Sequence, residues 1–499
     1  MMRRTVEVEN RLFTFITVLF LSGLYMLQLG TLFLGSSGKV SFFHLGGLTL
    51  PSAGLFITVC ILASWRRRLY FLFLVFVMLA FPAPVDDLFP SIPLTSMQDK
   101  TQVLFPLFTR IDIYLLLGIF LRLVQKDFQF PVLQLSLWIK LIVLVYLLVF
   151  LINALSAADM WDFNLLLAYS FHIRYLLLVI ILLQLYDIRI YQKVVVTGIV
   201  LSMIFLLLEA GINTHVKGSD RLLSGSLSLN TFANISAAVA WYIIFLLRRQ
   251  GIGKWTGFLT LLVVGVILIG SQTRGAILTL VISIILLNLI VSYRRMIINF
   301  LKVLLGVGFL VFSYILASKY NYIPERYSYE KLYQRIEIDL GESSLGEIFN
   351  IKKSPETNSI KSRLDLFDSS INMIQEYPLT GIGAGRWNRY KNVYSQKQNI
   401  PNVLLDSHND YLALWSQYGI ILGSLLAWWV FFQPFRQVKK GISTMNSAQH
   451  PLLFLYVVNF AMGIAALSNS GFFKHQIAAF LIFGACVVSK ISRSSYEGT

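Results

Sequence analysis

Residues 12–35 read LFTFITVLFLSGLYMLQLGTLFLG, with no charged side chain in the run. A helix needs about 20 mostly apolar residues to cross ~30 Å of hydrocarbon. This run is long enough, exceeds a signal-peptide core and lacks a clear small-residue cleavage site, so it reads as a retained span. Outward from it, comparable runs centre near residues 22, 56, 75, 116, 142, 175, 202, 238, 263, 283, 307, 422, 460 and 482. The expected fold class is therefore all-α: a polytopic membrane bundle of about 14 (12–14) transmembrane helices, the third and fourth being short.

The bulk composition agrees. Of 499 residues, 56% are hydrophobic and 13% are charged, with mean hydropathy +0.68. Soluble chains carry about 25% charged residues. An ordinary cytosolic enzyme, a disordered chain and a nucleic-acid binder are excluded on that ground. The net charge of +17 has a topological explanation, because cytoplasmic loops of membrane proteins collect Lys and Arg.

That rule also sets sidedness. With the N-terminus inside, every inward turn is basic: Arg3, Arg4 and Arg11; Arg66, Arg67 and Arg68; Arg122 and Lys126; Arg189 and Lys193; Arg248, Arg249 and Lys254; Arg294, Arg295 and Lys302; Arg436, Lys439 and Lys440; Lys490 and Arg493. These are 21 of the 42 basic residues, against seven in the short outer loops. Both termini are expected in the cytoplasm.

Four regions follow: helices over 1–210, helices with Arg-bearing outer loops over 211–317, a large outer loop over 318–410, and C-terminal helices over 411–499. Within the loop, basic and acidic residues balance at 12 each from residue 319 to 410. Leu364, Phe367, Ile371 and Ile374 fall at helical spacing, and Pro378 should stop that helix. A surface helix packed on the membrane domain is expected. No linker marks off a second soluble domain, and no internal repeat is visible.

Few outer cations remain to be weighed. Arg274 stands in Gly270-Ser271-Gln272-Thr273-Arg274-Gly275 at the outer junction of two spans. It is either a snorkelling helix-end residue or a guanidinium held for phosphate, whose oxygens match its planar fork. Arg221 follows Asp220, an ordinary pairing partner, and Arg363 opens the loop helix. His408, in Asp406-Ser407-His408-Asn409-Asp410-Tyr411-Leu412, ends the loop. Imidazole suits proton transfer near neutrality, and Asp406 or Asp410 would orient it. The ordinary alternative is a capping segment in which His408 fills space.

Within the spans, Lys140, His172, Arg174 and Glu209 are costly in lipid and are expected to face the bundle interior or water. His172 and Arg174 are candidates to line a headgroup cavity. Gly381-Ile382-Gly383-Ala384-Gly385 reads as a tight turn after Pro378, since no strand–helix unit surrounds it. Cys60 and Cys486 lie in apolar runs, and no histidine spacing suits a metal, so no cofactor or metal is expected.

Three segments combine. Ser271-Gln272-Thr273-Arg274-Gly275-Ala276 precedes a span; Arg363 is followed by Tyr377-Pro378-Leu379-Thr380 and the glycine turn; His408-Asn409-Asp410-Tyr411-Leu412 is followed by Tyr418-Gly419-Ile420. The combination resembles the O-antigen ligase and O-antigen polymerase superfamily over roughly Arg221 to Gly423, with Gly225 and Asn234 a weaker part of the match. Ser-Gln-Thr-Arg stands where Ser-Arg is commoner, and fourteen spans exceed the family's usual twelve or so.

The resemblance implies a metal-independent, inverting membrane glycosyltransferase in the inner membrane. It would act at the periplasmic face on an undecaprenyl-diphosphate-linked glycan, with an acceptor glycan or lipid A–core as second substrate. Membrane lipid and polysaccharide-assembly proteins are the other partners implied, and nucleic acid is not one. The family's arginine before the span matches Arg274, its loop arginine Arg363 and its loop-end histidine His408; Arg221 and Arg174 join them as candidate diphosphate or glycan ligands. Two other classes stay open: a lipid-linked oligosaccharide flippase or transporter, motivated by the intramembrane charges, and a non-catalytic assembly subunit.

Overall fold

The computed structural model describes residues 44–45, 48–80, 109–124, 137–156, 163–216, 229–248, 254–271, 274–291, 359–395, 407–434, 453–467, 472 and 475–494. Among them the one extended element is a two-residue hairpin, His44–Leu45 paired antiparallel with Leu48–Thr49. The remainder is helix and turn. In chain order the helices are α1 (Leu50–Trp65), α2 (Arg67–Leu79), α3 (Arg110–Leu123), α4 (Leu137–Ser156), α5 (Phe163–Leu185), α6 (Ile188–Val216) and α7 (Leu229–Arg248). Then come α8 (Lys254–Ser271), α9 (Arg274–Val291), α10 (Ser359–Glu376), α11 (Trp387–Tyr390), α12 (Asp410–Ala427), α13 (Leu453–Ala465) and α14 (His475–Ser494). A π-helical turn, Trp428–Phe432, continues α12.

A helix covers each expected span centre except those near 22 and 307, which lie outside the described residues. Among the described residues three helical stretches are long and apolar enough to cross a membrane: Leu137–Leu155, Val194–Gly211 and Asp410–Phe432. Shorter apolar helices run over Gly54–Trp65, Tyr169–Leu185, Thr231–Ile244, Leu455–Ala465 and Ile477–Val487.

The helices differ in how their apolar surface is used. From Leu69 to Leu79 every residue of α2 is buried. A helix apolar all round belongs inside a bundle, and α2 packs on α1, α3, α6 and α14. Its contact with α6 is close, for a Cβ at Gly198 would lie 2.6 Å from the Leu72 carbonyl oxygen. Small residues at such crossings let membrane helices approach. In contrast, α4 buries Ile142, Tyr146, Val149 and Asn153 while exposing Leu144, Leu147, Leu148 and Leu151. An apolar outer face of this kind suits lipid and not water.

The loop helix α10 forms where the spacing predicts and stops before Pro378. It packs against α12, but its buried stripe is not the expected one. Leu366, Ser369, Ser370 and Met373 are buried, whereas Phe367 and Ile374 are half-buried and Ile371 is exposed. Two serines tolerate burial because each hydroxyl donates to a carbonyl one turn back, Ser369 to Asp365 (2.9 Å) and Ser370 to Leu366 (2.9 Å). Their small size admits Trp387, whose Nε1–H donates to Ser370 Oγ at 3.0 Å.

Candidate functional site

The junction into α12 is built by Asn409. Its Oδ1 accepts from the amides of Tyr411 (2.9 Å) and Leu412 (3.1 Å), an N-cap that satisfies two orphan donors of the helix. Its Nδ2 donates to the Leu467 carbonyl at 3.0 Å, just beyond α13. The Asp410 amide donates to the Ala466 carbonyl (2.9 Å), and Asp410 Oδ1 accepts from the Phe472 amide (3.0 Å). Ser407 Oγ donates to the Asn409 carbonyl at 2.7 Å. His408 stands between these clamps, half-buried, with φ of +50°. Left-handed backbone is uncommon for any residue but glycine, and such strain persists only where the surroundings impose it. Here the flanking clamps impose it.

A second tie runs beneath. His172 on α5 is buried, and its Nε2 lies 2.8 Å from the Phe472 carbonyl oxygen. A carbonyl only accepts, so in the neutral ring Nε2 carries the hydrogen and Nδ1 accepts from the Tyr418 hydroxyl at 2.8 Å. The Phe472 ring stacks on the imidazole at 4.4 Å. Phe472 thus joins the His408 junction, through Asp410, to α5 and the middle of α12. With both ring nitrogens engaged, and an apolar crevice beside it walled by Ile142, Leu176, Leu426 and Ile482, His172 is a bundle tie.

At Gly419 α12 breaks, with φ 79° and ψ 165°. The glycine turn docks into the break. The Ile382 amide donates to the Ser416 carbonyl (2.8 Å), Gly383 to Gln417 (3.2 Å), and Ile420 to Pro378 (2.8 Å). The Gly385 amide donates to Gln417 Oε1 at 2.7 Å. The packing is backbone on backbone: a Cβ at Gly419 would sit 2.1 Å from the Leu379 oxygen, and one at Gly381 2.4 Å from the Gln417 carbonyl carbon. The turn read from the sequence is present, and its amides are spent on a helix and not on a ligand. From α4, Asn153 Nδ2 holds the Thr380 carbonyl (3.0 Å) and the Tyr169 hydroxyl (2.7 Å).

Arg174 has a partner that the sequence did not reveal. Its Nε lies 2.9 Å from Asp112 Oδ1, across the α3–α5 contact. The other carboxylate oxygen accepts from the Thr109 amide (2.7 Å) and hydroxyl (2.9 Å), closing a capping box at the start of α3. Arg110 beside it is fully buried, with Nε donating to the Val77 carbonyl at 3.3 Å. Arg274 is the first residue of α9, which packs on α13, the helix whose end clamps Asn409 and Asp410. Arg363 lies in the second turn of α10. Arg221 and Asp406 lie outside the described residues. Of the remaining intramembrane charges, Glu209 is buried, while Lys140 sits exposed in the first turn of α4, where its long stem keeps the ammonium near a helix end. Among the described residues no cluster of three His, Cys, Asp or Glu could hold a metal.

Residues 258–427 match the family model described as O-antigen ligase. Over that segment the chain is similar to the O-antigen ligase family. The matched segment contains Arg274, Arg363, the glycine turn, His408 and the break at Gly419, and leaves Arg221 outside. The chain also resembles an uncharacterized protein of Haemophilus influenzae, at 19% identity over 163 residues. That similarity covers 32% of this chain and 39% of the relative, so the chain spans about two fifths of the relative's length.

The sequence reading overlooked Arg386 and Asp112, and it quoted Tyr418 only as part of a motif. Arg386 follows three glycines at alternate positions, a pattern that announces a fixed backbone beneath it. Asp112 and Tyr418 gave no such signal, because their partners are distant in the chain.

Proposed function

We propose that this chain transfers or polymerises a glycan from an undecaprenyl-diphosphate donor onto an acceptor hydroxyl, at the periplasmic face of the inner membrane. The observation carrying this reading is that the family match spans the clamped, left-handed His408 junction together with Arg274 and Arg363. In this reading fourteen spans place both termini in the cytoplasm and residues 318–410 outside.

The imidazole of His408 accepts the acceptor's hydroxyl proton as its oxygen attacks C1 of the donor sugar. The C1–O bond to the diphosphate breaks, and its electron pair leaves with the diphosphate oxygen. Attack opposite the leaving group inverts C1. Negative charge grows on the diphosphate, so arginines held there stabilise the transition state more than the ground state. Arg274, Arg363 and Arg221 are assigned this work. Arg174 has the weaker claim, because a carboxylate already engages it. The same ion pair gives one intramembrane charge a structural purpose, which lessens the motive for a flippase. The diphosphate link supplies the driving force, so no nucleotide is required, and in this reading the arginines supply the charge stabilisation.

The test is the length profile of lipid-linked and surface glycan in cells carrying His408→Ala. Full-length chains stranded on undecaprenyl diphosphate indicate a ligase. Single repeat units, stranded or transferred singly, indicate a polymerase. An unchanged profile, with the variant present at normal level, removes His408 from the chemistry.

A further inference from the structure

Arg386 is the residue at which the rigid part of the loop meets an unfilled requirement. Gly381, Gly383 and Gly385 have φ of 66°, 98° and 75°, and the amides of Ile382, Gly383 and Gly385 are bound to α12. The Arg386 amide then closes onto the Gly383 carbonyl at 3.3 Å. The backbone that carries this arginine is therefore fixed on the helix break.

The side chain is half-buried. Its Nε is shut off from solvent and has no hydrogen-bond acceptor among the described residues. No carboxylate among them pairs with it. Among the described residues it lies near the Tyr169 hydroxyl, which Asn153 Nδ2 holds at 2.7 Å. A guanidinium stays charged under all ordinary conditions. Leaving its N–H buried and unmatched costs free energy, and native structures rarely tolerate it without a use. The missing partner is an acceptor that carries negative charge and several oxygens, which is the chemistry of a phosphate ester.

We infer that Arg386 is an anion-binding residue of the transfer site, taking a phosphate oxygen of the lipid-linked donor. The inference rests on the proposed function and adds a ligand from the glycine turn, a different element from those bearing the other arginines. A phosphate ester also occurs on bilayer phospholipids, so the experiment separates the two sources.

The full chain is purified into phosphatidylcholine nanodiscs, and binding of farnesyl diphosphate and of farnesol is measured. Arg386→Gln should weaken farnesyl diphosphate binding about ten- to a hundred-fold, the worth of a charge-assisted hydrogen bond, and leave farnesol binding unchanged. Arg386→Lys, which keeps the charge but loses the fork, should fall between. Both variants should melt no lower than the wild type, since among the described residues the guanidinium has no acceptor to lose.

Equal diphosphate binding by wild type and Arg386→Gln overturns the assignment and leaves the proposed function standing. A wild type that binds the diphosphate no more tightly than farnesol overturns both. Loss of the difference between wild type and Arg386→Gln when phosphatidylglycerol is added assigns Arg386 to a bilayer headgroup and overturns the donor assignment. A lowered melting temperature in both variants, with unchanged diphosphate binding in Arg386→Lys, makes the residue structural.

Discussion

His408 shows how one residue can serve two opposed demands. Its φ of +50° suits glycine, and for other residues that conformation costs roughly 1–2 kcal/mol. The Asn409 and Asp410 clamps on the chain beyond α13 hold it there. His408→Gly should therefore be more stable than His408→Ala by about 1 kcal/mol, measured by thermal unfolding in detergent. Both should lose transfer by about a hundred- to ten-thousandfold, the usual worth of a general base. Equal stability of the two variants would mean that the backbone at 408 is relaxed. At the same scale, Tyr418→Phe takes the hydroxyl from His172 Nδ1. Hydrogen bonds between membrane helices are worth about 0.6 kcal/mol, rarely above ~1.7, so a loss in that range is expected and a loss of activity with normal folding is not. Histidine was legible in the sequence because its chemistry marks it. Arg386 was not, because the loop's charges balance and the sequence does not tell a matched arginine from an unmatched one.

At the scale of elements, the break in α12 is made by two segments together. Carbonyls of Ser416 and Gln417, freed from the helical ladder near Gly419, are taken by amides of the glycine turn. Gly419→Ala and Gly381→Ala each add a methyl into opposing backbone at a positive φ. A loss of about 3–5 kcal/mol is expected for each, the sum of backbone strain and a clash that cannot relax. Unchanged melting temperatures would show that turn and helix are not docked. Between α3 and α5, Asp112→Asn leaves Arg174 without its carboxylate and weakens the cap at Thr109. Breaking a buried ion pair from one side costs about 3–5 kcal/mol, and stability of the purified variant reads it directly. The loop helix illustrates a limit of periodicity. Its length and its stop at Pro378 followed from spacing, but the choice of buried face went to Ser369 and Ser370, whose hydroxyls are satisfied within the helix.

For the whole molecule the decisive quantity is sidedness. Val393 in the loop is 71% exposed, and Trp65 at the end of α1 is 67% exposed. In a chain with Cys60 and Cys486 replaced by alanine, Val393→Cys should react with an impermeant maleimide in intact spheroplasts. Trp65→Cys should react only after the membrane is broken. The reverse pattern would put His408 in the cytoplasm and end the periplasmic reading. Exposed leucines along α4 against the fully buried α2 describe a bundle with a lipid-facing rim and an interior helix.

The approximate positions of the described helices and their apolar character were written in composition and run length, because hydrocarbon imposes a local rule on every span: about 20 apolar residues with internally satisfied backbone. The family motifs were likewise local, and the matched segment carries all of them but Arg221. Pairing between distant residues obeys no local rule. Asp112 with Arg174, His172 with Tyr418 and Phe472, and the glycine turn with Gly419 are joined across chain separations of tens to hundreds of residues. Their partners are selected by which helices lie side by side. That choice depends on packing of the whole bundle, and it alone separates Arg174, held by a carboxylate, from Arg386, whose Nε has no acceptor among the described residues.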